Sequence, residues 1–176
     1  MTASRYEIYI EAVWNKKASR AGWCAKVKDT LIKSTMTIAD AVQGDASQAV
    51  LLQRATLTGL QKALRWLKAD KERLPEDEAV ALYINCGYVR QVLMQKTYST
   101  WKRNNWKDLQ GNDIPEVEHW QQVLKLLECF CVIPIQKSAW QRDMKTALAC
   151  MELAEKECRE NSPVWIMRKD GREESV

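Results

Sequence analysis

The pattern of apolar and polar residues predicts an α/β fold, with five strands interleaved with helices, in this chain of 176 residues. Two observations carry that prediction. Three runs near the start alternate with a period of two, as half-buried strands do, and a leucine stripe at helical spacing follows them. Beyond the stripe, strand-like and helix-like patterns take turns to the end of the chain, the order of a layered α/β domain.

The elements can be justified in order. Tyr6–Trp14 alternates and is rich in Tyr, Ile and Val, so it reads as a first strand. Gly22–Lys28 alternates again after the loop 15–21, and Lys33–Val42 carries Thr35, Thr37, Ile38 and Val42. These three runs read as an antiparallel meander. Gln43-Gly44-Asp45 turns the chain, and Ser47 is placed to cap a helix. That helix is expected over Gln48–Lys68, with Leu52, Leu57, Leu60, Leu64 and Leu67 on one face. Asp70–Glu78 is a charged loop broken by Pro75. Val80–Asn85 reads as a buried strand, Tyr88–Tyr98 and Glu116–Glu128 as helices, Cys129–Ile135 as a short strand and Met144–Glu160 as a long helix. One domain is expected over 1–160, with a partly disordered extension over 161–176. Within that extension Val164–Met167 has the pattern of an extra strand, and 168–176 reads as a mobile end.

Composition narrows the function classes. With 46% hydrophobic and 28% charged residues, the chain has the make-up of a globular domain. A net charge of +4 permits nucleic-acid binding without arguing for it. No apolar run approaches the ~20 residues of a membrane span, and Met1–Tyr9 holds no signal-like apolar block. The six cysteines form no C-x-x-C pair, and His119, the one histidine, lies far from them in sequence, so zinc is not expected. Reduced cysteines and the lack of a leader lead us to expect a cytoplasmic chain with no membrane partner.

The stretch Ala81–Leu127 is the most telling. A strand ends in Ile84-Asn85-Cys86-Gly87-Tyr88-Val89 and leads into Thr100-Trp101-Lys102-Arg103-Asn104-Asn105-Trp106-Lys107. This resembles ribonuclease HI, in which a T-D-S-x-Y-V strand end precedes a W-x-x-x-W-K element. The resemblance covers roughly residues 5–158 and is strongest over 83–124. It implies a ribonuclease H-like five-stranded mixed sheet flanked by helices, with a basic, tryptophan-rich handle.

It also implies where the family's metal-holding carboxylates would fall. The first, mid-strand, corresponds to Glu11; the second, on the first helix, to Gln53; the third, at the strand end, to Asn85; the fourth, on the last helix, to Thr146, or to Met151 in a shifted register. Gln136 or Lys137 stands where the family has a loop histidine. Two divalent ions bring +4, so a pocket keeping only Glu11 leaves roughly +3 uncompensated. At an effective dielectric of about 20, each missing charge near 4 Å forfeits on the order of 4 kcal/mol. The expectation is therefore a degenerate site with no metal or other cofactor and a chain that is not an enzyme. Asp143, Glu152 and Asp45 are the carboxylates that could swing in to rescue a divergent nuclease.

The second implied feature is the handle. Lys102, Arg103 and Lys107 suit phosphates, and Trp106 could stack on a base, although Trp101, Trp106 and Trp120 could equally build the core that seats the handle. Lys16, Lys17 and Arg20, after the first strand, fall on the side where the family meets its substrate. The asparagine pair that precedes the family's helix glutamate is replaced by Ala49 and Val50. Three functions stay open: an accessory factor binding a nucleic-acid duplex or RNA–DNA hybrid, a protein-interaction or scaffold subunit, and a divergent metal-dependent nuclease. Eight tryptophans are many for one core, and exposed ones would favour an interface.

Overall fold

The first strand is buried on both faces, its two glutamates included. The computed structural model of the protein describes residues 4–69, 79–133, 142–159, 165–167 and 173–175. β1 (Tyr6–Asn15) lies inside the sheet, antiparallel to β2 (Arg20–Asp29) and parallel to β4 (Ala79–Ile84). β3 (Ser34–Gln43) completes the meander against β2, and β5 (Cys131–Ile133) runs parallel to β4. These are the five strands of the expected mixed sheet. Two short strands extend it, β6 (Trp165–Met167) against β3 and β7 (Glu173–Ser175) against β6, giving the order β5-β4-β1-β2-β3-β6-β7. The extra strand foreseen near 164–167 is β6. Glu173–Ser175, read from sequence as part of a mobile end, instead pairs as β7.

The two faces of the sheet are covered by different helices. α1 (Gln48–Ala69) lays Leu57, Leu60 and Leu64 on the face bearing Ile8, Ile10 and Trp23. Leu51, rather than the expected Leu52, completes its buried row. α5 (Met144–Arg159) covers the other face with small side chains, Ala147, Cys150 and Ala154, against Tyr9, Cys24 and Ala39. Small residues let this helix approach closely. At Gly22 a Cβ would run into the Ala154 carbonyl and stand 2.8 Å from the Cys158 nitrogen, so β2 needs a glycine there.

Between β4 and β5 the expected helix is split. α2 (Gly87–Gln95) stops where Lys96 turns left-handed, φ 53°, its N–H donating to the Val92 carbonyl. This local cap ends the helix before Tyr98, where α3 (Tyr98–Arg103) begins. α4 (Val117–Leu127) then packs beside α1. The charged loop expected over 70–78, and Gln136 and Lys137, lie outside the described residues.

Candidate nucleic-acid interface

The four positions of the implied metal site are each engaged elsewhere. Asn85 follows β4, and its amide pairs with one residue of β1: Oδ1 accepts from the Ala12 N–H at 2.9 Å and Nδ2 donates to the Ala12 carbonyl at 3.1 Å. The side chain thus continues the β1–β4 ladder past its last rung. An aspartate in this pose would set an oxygen against the Ala12 carbonyl. Gln53, 4% exposed, donates from Nε2 to the Pro115 carbonyl at 3.2 Å and ties α1 to the segment before α4. Its neighbour Arg54 reinforces that tie through Glu116, at 3.1 and 2.8 Å. Thr146, in the first turn of α5, donates its N–H and hydroxyl to Asp143, at 3.0 and 2.7 Å.

Glu11 is different, because it is engaged by nothing. It is fully buried, and neither carboxylate oxygen has a hydrogen-bond partner. Burial pushes its pKa from 4.5 up to about 7. It lies beside Cys150 of α5, whose thiol burial pushes up as well. A carboxyl in this setting keeps its proton up to near neutrality.

The residues present therefore do not fit a metal pair. The amide of Asn85 is occupied, Glu11 is sealed under α5, and no hydrogen bond joins any two of the four positions. Among the described residues no group of three or more His, Cys, Asp or Glu could hold a metal ion. Asp143, one possible rescuer, is committed to the Lys28 ammonium at 2.6 Å, which with the Thr146 N–H holds its carboxyl far below the usual range.

The handle is open where those positions are closed. Trp101 and Trp120 are buried and meet edge to face, 5.5 Å between ring centres, which roots α3 on α4. Past Arg103 the chain reverses through Asn105 and Trp106, both left-handed at φ 52° and 61°. Asp108 then holds the tip by accepting from the Gln110 and Asn112 N–H groups, at 2.9 and 2.8 Å. Trp106 is half-buried against the main core, and Trp14 and Trp66 share that state. None of these three, nor the buried Trp23, Trp101 and Trp120, is exposed. Lys102, Arg103 and Lys107 are exposed. Lys102 reaches Glu128 at 3.5 Å and Lys107 reaches Asp113 at 2.7 Å, both solvated pairs. Lys16 and Lys17 are exposed in the β1–β2 turn. Arg20 is not a loop cation: it opens β2, is 7% exposed and faces the Gln43 amide across the β2–β3 pair.

A polar network on the α5 side went unforeseen in the sequence. Glu7, 5% exposed, accepts two bonds from Arg142, at 3.0 and 2.8 Å, and one from the Tyr9 hydroxyl at 2.7 Å. Alternation along β1 placed Glu7 on the same side as Glu11, a signal that could have found it. Arg142 gave none, since it precedes the helix it helps to anchor.

Comparison with known proteins follows this geometry. No family model matches the chain. It is 23% identical over 121 residues to a ribonuclease H of Caldicellulosiruptor saccharolyticus, covering 69% of this chain and 74% of the relative. It is 29% identical over 121 residues to a ribonuclease H of Chlorobium luteolum, covering 68% and 72%. Among solved structures, LC9-RNase H1, a type 1 RNase H with the type 2 active-site motif, superposes with a TM-score of 0.62 at 11% identity, over 100% of this chain and 79% of that one. The foamy viral protease-reverse transcriptase in complex with an RNA/DNA hybrid superposes at 0.57 and 13% identity, over 89% of this chain and 20% of that one. These relatives correct one expectation. The chain was expected not to be an enzyme, because three of four charges are missing at the metal positions, yet both curated relatives are ribonucleases H, which are enzymes. The chain is thus related in sequence to ribonucleases H and shares the ribonuclease H-like fold.

Proposed function

We propose that the chain is a ribonuclease H-like protein that binds nucleic-acid duplexes, RNA–DNA hybrid among them, through the handle and the β1–β2 turn. The observation that carries this reading is the contrast within the handle: its tryptophans are buried as a base, and its cations are left in water. Lys102 and Lys107 each face a solvated carboxylate, and exposed pairs of this kind are weak enough for a phosphate to displace. The rooted helix fixes the backbone under Lys102 and Arg103, so that contact costs them side-chain freedom alone. The fold-level neighbour solved with an RNA/DNA hybrid adds the substrate class by analogy.

The test is hybrid and duplex binding as a function of salt. Binding through three handle phosphates and the turn lysines predicts a log–log slope that flattens by about 2.7 when Lys102, Arg103 and Lys107 become Gln, at ~0.9 per contact. Absence of any salt-dependent binding at low ionic strength would overturn the reading. Hybrid cleavage is followed in the same samples.

A further inference from the structure

A cavity of about 240 Å³ lies at the break that splits the expected helix. α2 stops at Lys96 and α3 starts at Tyr98, and both residues line it. Its walls come from four elements: Leu82 of β4, Leu93 of α2, Leu124 of α4 and Val132 of β5. Leu82, 1% exposed, belongs to the main core, so the cavity reaches down to that core. Lys96, Lys102 and Glu128 also line it and are exposed, which sets them at its mouth.

The lining limits the chemistry of an occupant. Polar ligands are held by a few convergent donors or acceptors inside an apolar pocket. Among the described residues, none of the buried side-chain nitrogens or oxygens left without a partner belongs to this lining. The helix ends beside it are engaged as well. The Val92 carbonyl accepts from the Lys96 N–H, and the Leu124 carbonyl accepts from the Glu128 N–H. Nothing inside asks a ligand for a hydrogen bond.

Charge at the mouth is close to balanced. Lys96 and Lys102 stand against Glu128 and against the C-terminal ends of α2 and α4, worth roughly −0.5 each. Lys102 is held at the rim by Glu128 at 3.5 Å and by the Tyr98 ring, 5.8 Å from its centre. Its apolar stem is left to face the cavity while its ammonium stays in water. Neither an anion nor a cation is favoured.

Volume sets the size. An apolar cavity of about 150 Å³ stays dry and takes one benzene, so this one has room for about ten ring atoms by proportion. We infer that the cavity is a binding site for a neutral, apolar small molecule of the size of two fused aromatic rings. The site goes beyond the nucleic-acid reading and does not rest on it. Absence of hybrid binding would leave it standing.

The full chain is tested with naphthalene, and with 2-naphthoate and 1-naphthylmethylammonium as charged probes of similar size. The result expected is saturable one-to-one binding of naphthalene that raises the melting midpoint, with each ion at least about tenfold weaker. Leu93→Trp and Val132→Trp each place an indole of the ligand's own size at a half-buried wall, from different elements. Either variant, folded by circular dichroism, should lose naphthalene affinity at least about tenfold. In the wild type, nuclear Overhauser contacts from bound naphthalene should reach the methyl groups of Leu82, Leu93 and Val132. No saturable binding overturns the inference, as does naphthalene bound equally by wild type and a folded Trp variant. Contacts only to methyl groups elsewhere overturn it whether or not the variants fold. An ion bound as tightly as naphthalene overturns the assignment of a neutral ligand.

Discussion

The implied metal positions and the handle treat polar groups in opposite ways. At the implied positions, Gln53, Asn85 and Thr146 are bonded to the protein itself, and Glu11 is buried without a partner. In the handle, the aromatic groups are turned inward and the charged groups face water. The difference is one of how polar groups are satisfied within one fold. The amides of Gln53 and Asn85 satisfy backbone groups that carboxylates would repel, so these two side chains hold elements together.

The largest expected effect falls on the scaffold of the open region. Trp120→Ala removes a fully buried indole that supports Trp101, and it should cost about 3–5 kcal/mol in urea unfolding. A cost below 1 kcal/mol would mean that the handle is not seated there.

Next comes the pH behaviour of the closed region. Below about pH 4.5 Glu11 is protonated in both folded and unfolded chains and has no effect. From there to about pH 7 the unfolded chain ionises while the folded one keeps its proton, so stability falls as pH rises. Above pH 7 the loss levels off, on the order of 3 kcal/mol. The stability of Glu11→Gln should therefore exceed that of wild type increasingly from pH 5 to pH 8. Millimolar magnesium should leave the wild-type profile unmoved; a profile shifted by magnesium would place a cation at Glu11 and contradict the closed pocket. Any hydrolysis the chain performs should persist in Glu11→Gln.

A smaller effect is expected at the strand end. Asn85→Asp sets a carboxylate against the Ala12 carbonyl and should destabilise by roughly 1–3 kcal/mol at pH 7. The loss should shrink as the new acid is protonated at lower pH. Equal stability to wild type across that range would show that the amide is not bonded as described.

The smallest stability effect belongs to the handle cations. Each exposed Lys or Arg to Gln change there should shift stability by less than about 0.5 kcal/mol, checked by thermal melting. Larger losses would mean that the Glu128 and Asp113 pairs hold the handle together.

The sheet was legible because alternation has one meaning in a half-buried strand, and β1 to β5 fell within a few residues of expectation. The split at Lys96 was not legible, since a left-handed lysine carries no sequence signal comparable to glycine. Within the pocket, the strand-end pattern located Asn85 but not its partner, because pairing with Ala12 depends on the β1–β4 register. The isolation of Glu11 was hidden too. It follows from α5 covering that face with alanines and cysteines, which reads in sequence as an ordinary amphipathic helix. Arg20 was misplaced by the length of the β1–β2 turn: the strand begins two residues before the alternation shows it. Trp101 and Trp120 were legible only as alternatives, core or contact, and their edge-to-face packing places them in the core.

The central claim is that binding runs through the open handle and not through the closed pocket. Hybrid affinity measured from low to moderate salt on three proteins tests it most directly: wild type, the Lys102, Arg103 and Lys107→Gln variant, and Glu11→Gln. The account predicts that the handle variant flattens the log–log slope by about 2.7 while Glu11→Gln keeps the wild-type slope and affinity. A handle variant with the wild-type slope, or a Glu11→Gln protein that loses affinity at unchanged stability, would contradict it.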